Sequence, residues 1–212
     1  MLKPFQVLPF AACSTLLLGI TAWCATAFAT DESNAEWALQ QDDGRIQVFT
    51  RPVAGSPFLE VKATALIDAP IADIALRMGD GEGCVEWRVM CKSSEVLSVD
   101  SDTERNVYMV LDMPWPVADR DMVMRSIADI DTAAKTVTVQ LQDASSKYPE
   151  QDYVRAVSNG QYQMKALGEE QVEFTYIMHT DLGGDLSADL INPRVVESTY
   201  ADIKQLQLLA EK

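Results

Sequence analysis

Asp185-Leu186-Ser187-Ala188-Asp189-Leu190-Ile191-Asn192-Pro193-Arg194-Val195 opens the C-terminal segment, and here the apolar pattern of the chain changes period. Leu190, Ile191, Val195, Thr199, Ile203, Leu206 and Ala210 recur at three- and four-residue spacing, which marks one long amphipathic helix. Asp185 stands where an N-cap belongs. Pro193 falls inside the pattern and predicts a kink or a break between a first turn or two and the main segment. Upstream, residues alternate in period two between Asp, Ser, Thr, Gly and Pro turns. The spacing predicts strands over 45–51, 59–67, 94–99, 105–112, 122–129, 136–142, 153–157, 161–167 and 172–180. Short strands with short turns imply an antiparallel meander. One helix cannot close so large a sheet unless the sheet curls around it. The expected class is therefore α+β, a strongly curved antiparallel sheet wrapped around a long C-terminal helix.

Working toward the N-terminus, Asp68-Ala69-Pro70 reads as a helix start, with Ile71, Ile74, Ala75 and Met78 on one face and Gly79-Asp80-Gly81 ending it. A second short helical piece is expected to carry Cys84 and Trp87, and a helical turn is expected over 36–40, anchored by Trp37. The first residues read differently. Lys3 supplies a positive start, 8–28 is almost wholly apolar, and Ala27-Phe28-Ala29 precedes the polar Thr30-Asp31-Glu32-Ser33. This is the pattern of a secretory signal peptide over 1–29, cleaved after Ala29, with one domain over 30–212. An uncleaved membrane anchor is the alternative, because the run is nearly long enough to span a bilayer. A secreted, periplasmic protein is the expectation.

The chain has 17 basic and 32 acidic residues, a formal net charge of -15, and removing 1–29 takes away one lysine and no acid. Such a surface repels phosphate backbones and anionic headgroups. Nucleic acid is not an expected partner, and any membrane contact would be transient or made through a local apolar patch. Of four cysteines, Cys84 and Cys91 lie outside the leader. Seven residues of unbroken helix would separate them by about 10 Å along the axis, so a disulfide requires the helix to end between them. Two free buried thiols are the alternative. With His179 as the one histidine and no second cysteine pair, the sequence offers no metal site. It shows no nucleophile elbow, phosphate loop or dinucleotide fingerprint either, so no catalytic residue and no cofactor is expected.

What it offers is a pliable apolar strand face beside a rigid loop. In Met113-Pro114-Trp115-Pro116-Val117-Ala118-Asp119-Arg120-Asp121 two prolines pin the backbone around a tryptophan, holding a large apolar ring at the surface. Beyond it, Met122, Met124, Ser126 and Ala128 alternate with Val123, Arg125, Ile127 and Asp129, which puts the methionines inward and Arg125 outward. Met109 and Leu111, Tyr162 and Met164, and Phe174, Tyr176 and Met178 are further inward candidates. Methionine adapts to apolar guests of imprecise shape. The same residues would serve equally to pack against the final helix.

Several segments are, in order and spacing, similar to those of START domains, the lipid-transfer modules related to steroidogenic acute regulatory protein, and in particular to secreted bacterial members. They are Asp43-Gly44-Arg45-Ile46-Gln47-Val48-Phe49-Thr50-Arg51, Glu86-Trp87, Pro114 to Asp121, Val154-Arg155 and Asp181-Leu182-Gly183-Gly184. The resemblance implies the helix-grip fold and an internal tunnel for one lipid or sterol. It implies that Trp115, Pro116 and Val117 gate the tunnel, that Leu190 and Val195 form the underside of a lid, and that Arg120 and Asp121 brace the loop. Without that role the last two would be a surface ion pair contributing no more than about 1 kcal/mol. Sterol-handling members often carry an acid and arginine pair in the cavity, the arginine on the strand after the Arg-Asp motif. Here that arginine, Arg125, is in the outward phase, which leaves Arg155 as the candidate buried cation or as a fold-bracing residue.

The expected function is binding, and transfer between membranes or partners, of one hydrophobic ligand by a monomer. The alternatives are a polyketide cyclase- or aromatase-like enzyme using His179, Tyr162, Tyr176 and Arg155, and a lipid sensor that does not transport.

Overall fold

A computed structural model describes residues 35–79 and 81–212; the leader and its expected cleavage site lie outside the described residues. Ten strands form one sheet: β1 (Ala38–Asp42), β2 (Ile46–Arg51), β3 (Glu60–Ile67), β4 (Cys91–Ser101), β5 (Glu104–Leu111), β6 (Arg120–Asp131), β7 (Thr136–Asp143), β8 (Val154–Arg155), β9 (Val157–Ala166) and β10 (Val172–Asp181). Their order is β1-β2-β3-β10-β9-β7-β6-β5-β4, with β8 beside β6. All pairs are antiparallel except β6 with β8. The meander runs from β4 to β10, and β10 then returns to pair with β3, so the opening strands join the sheet at its far side. Helices α1 (Ile71–Gly79) and α2 (Cys84–Trp87) are inserted between β3 and β4, and α3 (Ala188–Ala210) lies along the sheet. This is the curved sheet and long C-terminal helix, the helix-grip arrangement, that the change of period predicts.

The buried face of α3 carries Ile191, Thr199, Ile203, Leu206 and Gln207, packed with the inward residues of the sheet into one core. Gln207 is polar and buried, but its Nε2 donates to the Leu66 carbonyl at 2.8 Å, so the group is satisfied. On the other face of β5 and β6, Tyr108, Val110 and Val123 form a second small cluster with Ala144, covered by the segment that carries Tyr148. Phase explains both layers. Odd positions of β6 turn to the convex side and even positions to the core.

Four expectations are corrected. The helical turn over 36–40 is strand instead: β1 pairs Leu39 with Phe49 and Ala38 with Thr50. The β2 ladder satisfies that backbone, whereas a five-residue helix would leave most of its donors and acceptors orphaned. Trp37 just before it stacks under Arg51 and Lys62, at 4.4 and 4.7 Å from its ring centroid. Second, 153–157 and 161–167 are not separate strands. A two-residue β8 is followed by an unbroken β9, and Gly160 belongs inside it because a Cβ there would lie 2.1 Å from the Ile177 carbonyl oxygen. Third, of the kink or break expected at Pro193 the break is absent, and α3 runs without interruption through that residue. Its first turns are pinned from outside: Asn192 Oδ1 accepts the Leu59 N–H at 3.0 Å, and its Nδ2 donates to the Pro57 carbonyl at 3.3 Å. Fourth, the N-cap position is Ser187, with no side-chain capping bond, and not Asp185.

Between α2 and β4 the helix ends at Trp87 and the chain turns back. Cys84 and Cys91 are joined in a disulfide with Cα atoms 6.0 Å apart. Among the described residues no helix is long and apolar enough to cross a membrane.

Candidate functional site

Two cavities follow one another along the concave face. The larger, about 470 Å³, lies toward the β5–β6 loop and under the first half of α3. The smaller, about 230 Å³, lies toward the β4–β5 turn and α1. Strands β5, β6 and β9 divide their inward residues between them in register. Leu111 and Met122 face the first cavity, while Met109, Met124, Ser126 and Ala128 face the second. On β9, Ser158 lines the first, and Tyr162 and Met164 line the second.

The first cavity therefore brings together Leu111, Met122, Tyr176 and Met178 from the sheet, Trp115, Pro116 and Val117 from the loop, and Leu190 and Val195 from the helix. The second takes Met109, Met124, Tyr162 and Met164. Phe174, also expected inward, is fully buried but lines neither cavity; it stacks on Tyr162 with ring centroids 6.3 Å apart.

The loop at the first cavity's mouth is held at its base and free at its tip. Trp115 is 92% exposed and its bond to Pro116 is cis. At the base, Asp119 Oδ1 accepts the Met113 N–H at 3.1 Å, and its other oxygen takes Lys92 Nζ at 2.6 Å. Arg120 is buried and faces inward. It donates to the carbonyl of Ala118 in the loop and to those of Leu182 and Gly183 in the β10–α3 connection.

Asp121 is fully buried and its partner is Arg155, not Arg120. Arg155 makes a forked contact, Nε to Oδ1 at 2.8 Å and Nη2 to Oδ2 at 3.0 Å, and also donates to the carbonyls of Ser145, Tyr148 and Pro149. A surface ion pair is thus excluded for Asp121. Arg155 lines neither cavity, because Asp121 occupies an odd position of β6 and carries its partner to the convex side. Beside them, burial and the Asp121 carboxylate push the Tyr108 phenol up.

Arg88, in the connection after α2, lines both cavities, while Arg194 lines the first and Arg105 the second. The Arg88 guanidinium lies 4.8 Å from the Trp87 ring centroid and 6.0 Å from those of Tyr162 and Tyr176, and it donates to Tyr162 Oη. Asp202 of α3 lines the first cavity, and one of its oxygens accepts the Val89 N–H at 2.8 Å. Burial pushes the Asp202 carboxyl up to about 6, against the pull of Arg88 and the Val89 bond. Burial likewise raises the Tyr162 and Tyr176 phenols. Sequence reasoning passed over Arg88 and Asp202. Arg88 sits in a short connection with no period to read. Asp202 did leave a signal, since it falls three residues after Thr199 and seven after Val195, on the stripe where an acid is out of place.

His179 lines neither cavity; its Nε2 is 3.0 Å from Ser56 Oγ. Among the described residues no three His, Cys, Asp or Glu side chains are placed to hold a metal.

The chain is 28% identical to an uncharacterized protein of Pseudomonas aeruginosa over 92% of this chain and 98% of that protein. Its structure is similar to that of a STAR-related lipid transfer protein fragment from Xanthomonas axonopodis, with a TM-score of 0.75 and 28% identity, covering 83% of this chain and 99% of that one. It shares its fold with human StAR-related lipid transfer protein 5, with a TM-score of 0.75 and 16% identity, covering 82% of this chain and 86% of the human one. Because the START domain model matches residues 29–208, the chain belongs to the START domain family, whose members bind hydrophobic ligands.

Proposed function

We propose that the protein binds one lipid or similar hydrophobic molecule in the cavity under α3 and carries it between a membrane and an acceptor outside the cytoplasm. The observation that carries this reading is the cavity of about 470 Å³, with methionine, leucine, valine and tyrosine walls and an almost fully exposed tryptophan at its mouth. Each methylene leaving water contributes about 0.8 kcal/mol, so one chain supplies the affinity. Its polar end meets Arg88 and Asp202. The Trp115 loop and the Leu190 turn of α3 part at the membrane, where an indole ring is at home in the interfacial layer. The contact is brief because the acidic surface is repelled by anionic headgroups. The leader over 1–29 directs export and is removed. The Cys84–Cys91 bond fits the oxidising compartment that export provides. The protein acts as a monomer.

Native mass spectrometry of protein purified from the periplasm tests this. The expected spectrum shows a mass increment of one bound lipid, lost on delipidation and regained from liposomes. Protein found in the cytoplasm with its leader intact, or one that takes up no lipid, overturns the proposal. A lipid that is bound but never passed between liposomes would identify a sensor. One observation favours a second reading, an enzyme of the cyclase type. Asp202, with its carboxyl near 6, sits in the cavity wall with Tyr176, where a proton could be exchanged. His179 and Arg155 drop out of that catalytic set, and Asp202→Asn separates the cases because a carrier keeps its lipid.

A further inference from the structure

The sheet register places the second cavity in line with the first, and the barrier between them is made of side chains. Met109 of β5 pairs with Met122 of β6, and Val107 with Met124, so one residue pair along the ladder passes from one cavity to the next. Between them stand Arg88, which lines both, and Tyr162, which accepts its hydrogen bond and meets Trp87 edge-on at 6.3 Å. Rotation about side-chain bonds would open this partition without moving backbone. The polar groups sit differently in the two cavities. The first carries Ser198, Thr199 and Asp202 under α3. The second is walled by Met78, Met109, Met124 and Met164, and its polar residues besides Arg88 include Asp102 and Thr103 at the β4–β5 turn and Arg105 just after it.

We propose that the two cavities are one channel for a single ligand, in which the methionine-walled second cavity holds the end of the apolar tail and sets the chain length the protein accepts. This rests on the lipid-binding reading above and adds a direction to it: the polar end stays on the Asp202 side of Arg88, and the tail passes Tyr162 toward the β4–β5 turn. At roughly 30 Å³ for a water-sized group, the first cavity of about 470 Å³ holds about 16 such groups and the second, of about 230 Å³, about 8 more. The channel therefore suits a ligand with one long chain and not a two-chain phospholipid.

The test is a homologous series of straight-chain primary alcohols, delivered from cyclodextrin and scored by native mass spectrometry, against the wild type, Ser126→Phe and Ala128→Leu. Ser126 and Ala128 face the second cavity from β6, and the milder Ala128→Leu keeps the test usable if the larger ring prevents folding. Wild-type affinity is expected to rise about fourfold per methylene until both cavities are filled, near about 24 heavy atoms. The variants should match it on short chains and level off sooner, by about five heavy atoms for Ser126→Phe and about three for Ala128→Leu, the bulk each adds to the second cavity. Wild type and variants that level off at the same length overturn the single channel while leaving lipid binding intact. Failure of the wild type to bind any alcohol overturns both.

Discussion

Replacing Asp202 with Asn should make the protein more stable at neutral pH and leave it nearly unchanged in acid. The folded protein holds the Asp202 carboxyl at about 6, against an ordinary value of 3.8, because burial in the cavity wall disfavours its charge. The folded state thus binds this proton more tightly than the unfolded chain does. The stability it contributes is complete below about pH 4 and is lost as pH rises through about 6. A shift of about two units corresponds to about 3 kcal/mol at pH 7 and above. The cavity-facing position exposes the group in part, which puts the expected effect at about 1–3 kcal/mol. Asn copies the neutral acid in shape and still accepts the Val89 N–H. Urea denaturation of both proteins from pH 3.5 to 8 measures the difference, in which all other titrating groups cancel. The two curves should meet near pH 4 and separate up to pH 7, with the variant above. Parallel curves, or a variant that is less stable at neutral pH, would refute the reasoning.

Asp121→Ala strands the Arg155 guanidinium on the convex side and should cost about 3 kcal/mol in urea denaturation. The lower end of the range for a broken buried pair applies because three carbonyls still accept from Arg155; a loss under about 1 kcal/mol would show the pair to be dispensable. Trp115→Ala removes a side chain that is 92% exposed, so stability should stay within about 0.5 kcal/mol. Lipid pickup from liposomes should slow about tenfold, from an interfacial contribution of about 1.4 kcal/mol, and an unchanged pickup rate would remove the loop from the gate.

The fold was legible because two periods compete for nothing in this sequence. Residues such as Val48, Ala63 and Phe174 alternate, and from Leu190 the spacing turns helical. The tip of the chain's opening was less so. A segment as short as Ala38–Asp42 carries too few side chains to show its period, and its identity as strand comes from the partner β2. Phase served the site equally well where residues lie on strands. Met122, Met124, Tyr176 and Met178 are in cavity walls, as alternation places them. Phase failed for Arg155. It lies in the two-residue strand β8, and its destination was decided by Asp121, a carboxylate on the opposite side of the sheet from the methionines. Arg88 lay beyond reach for a different reason: a cation after a tryptophan in a connecting turn has no period to place it, and only the three-dimensional meeting with Tyr162 and Tyr176 gives it a position.

Arg120 has a mechanical consequence. One guanidinium reads carbonyls from the base of the β5–β6 loop and from the connection that leads into α3, while Asn192 fastens the first turns of α3 to the segment before β3. The rim of the cavity is thus riveted at two corners. In the proposed carrier the displacement would fall to the indole tip, because Leu190 shares the turns that Asn192 fastens, and the mouth would widen from its loop side as a slot rather than swing as a door on a hinge.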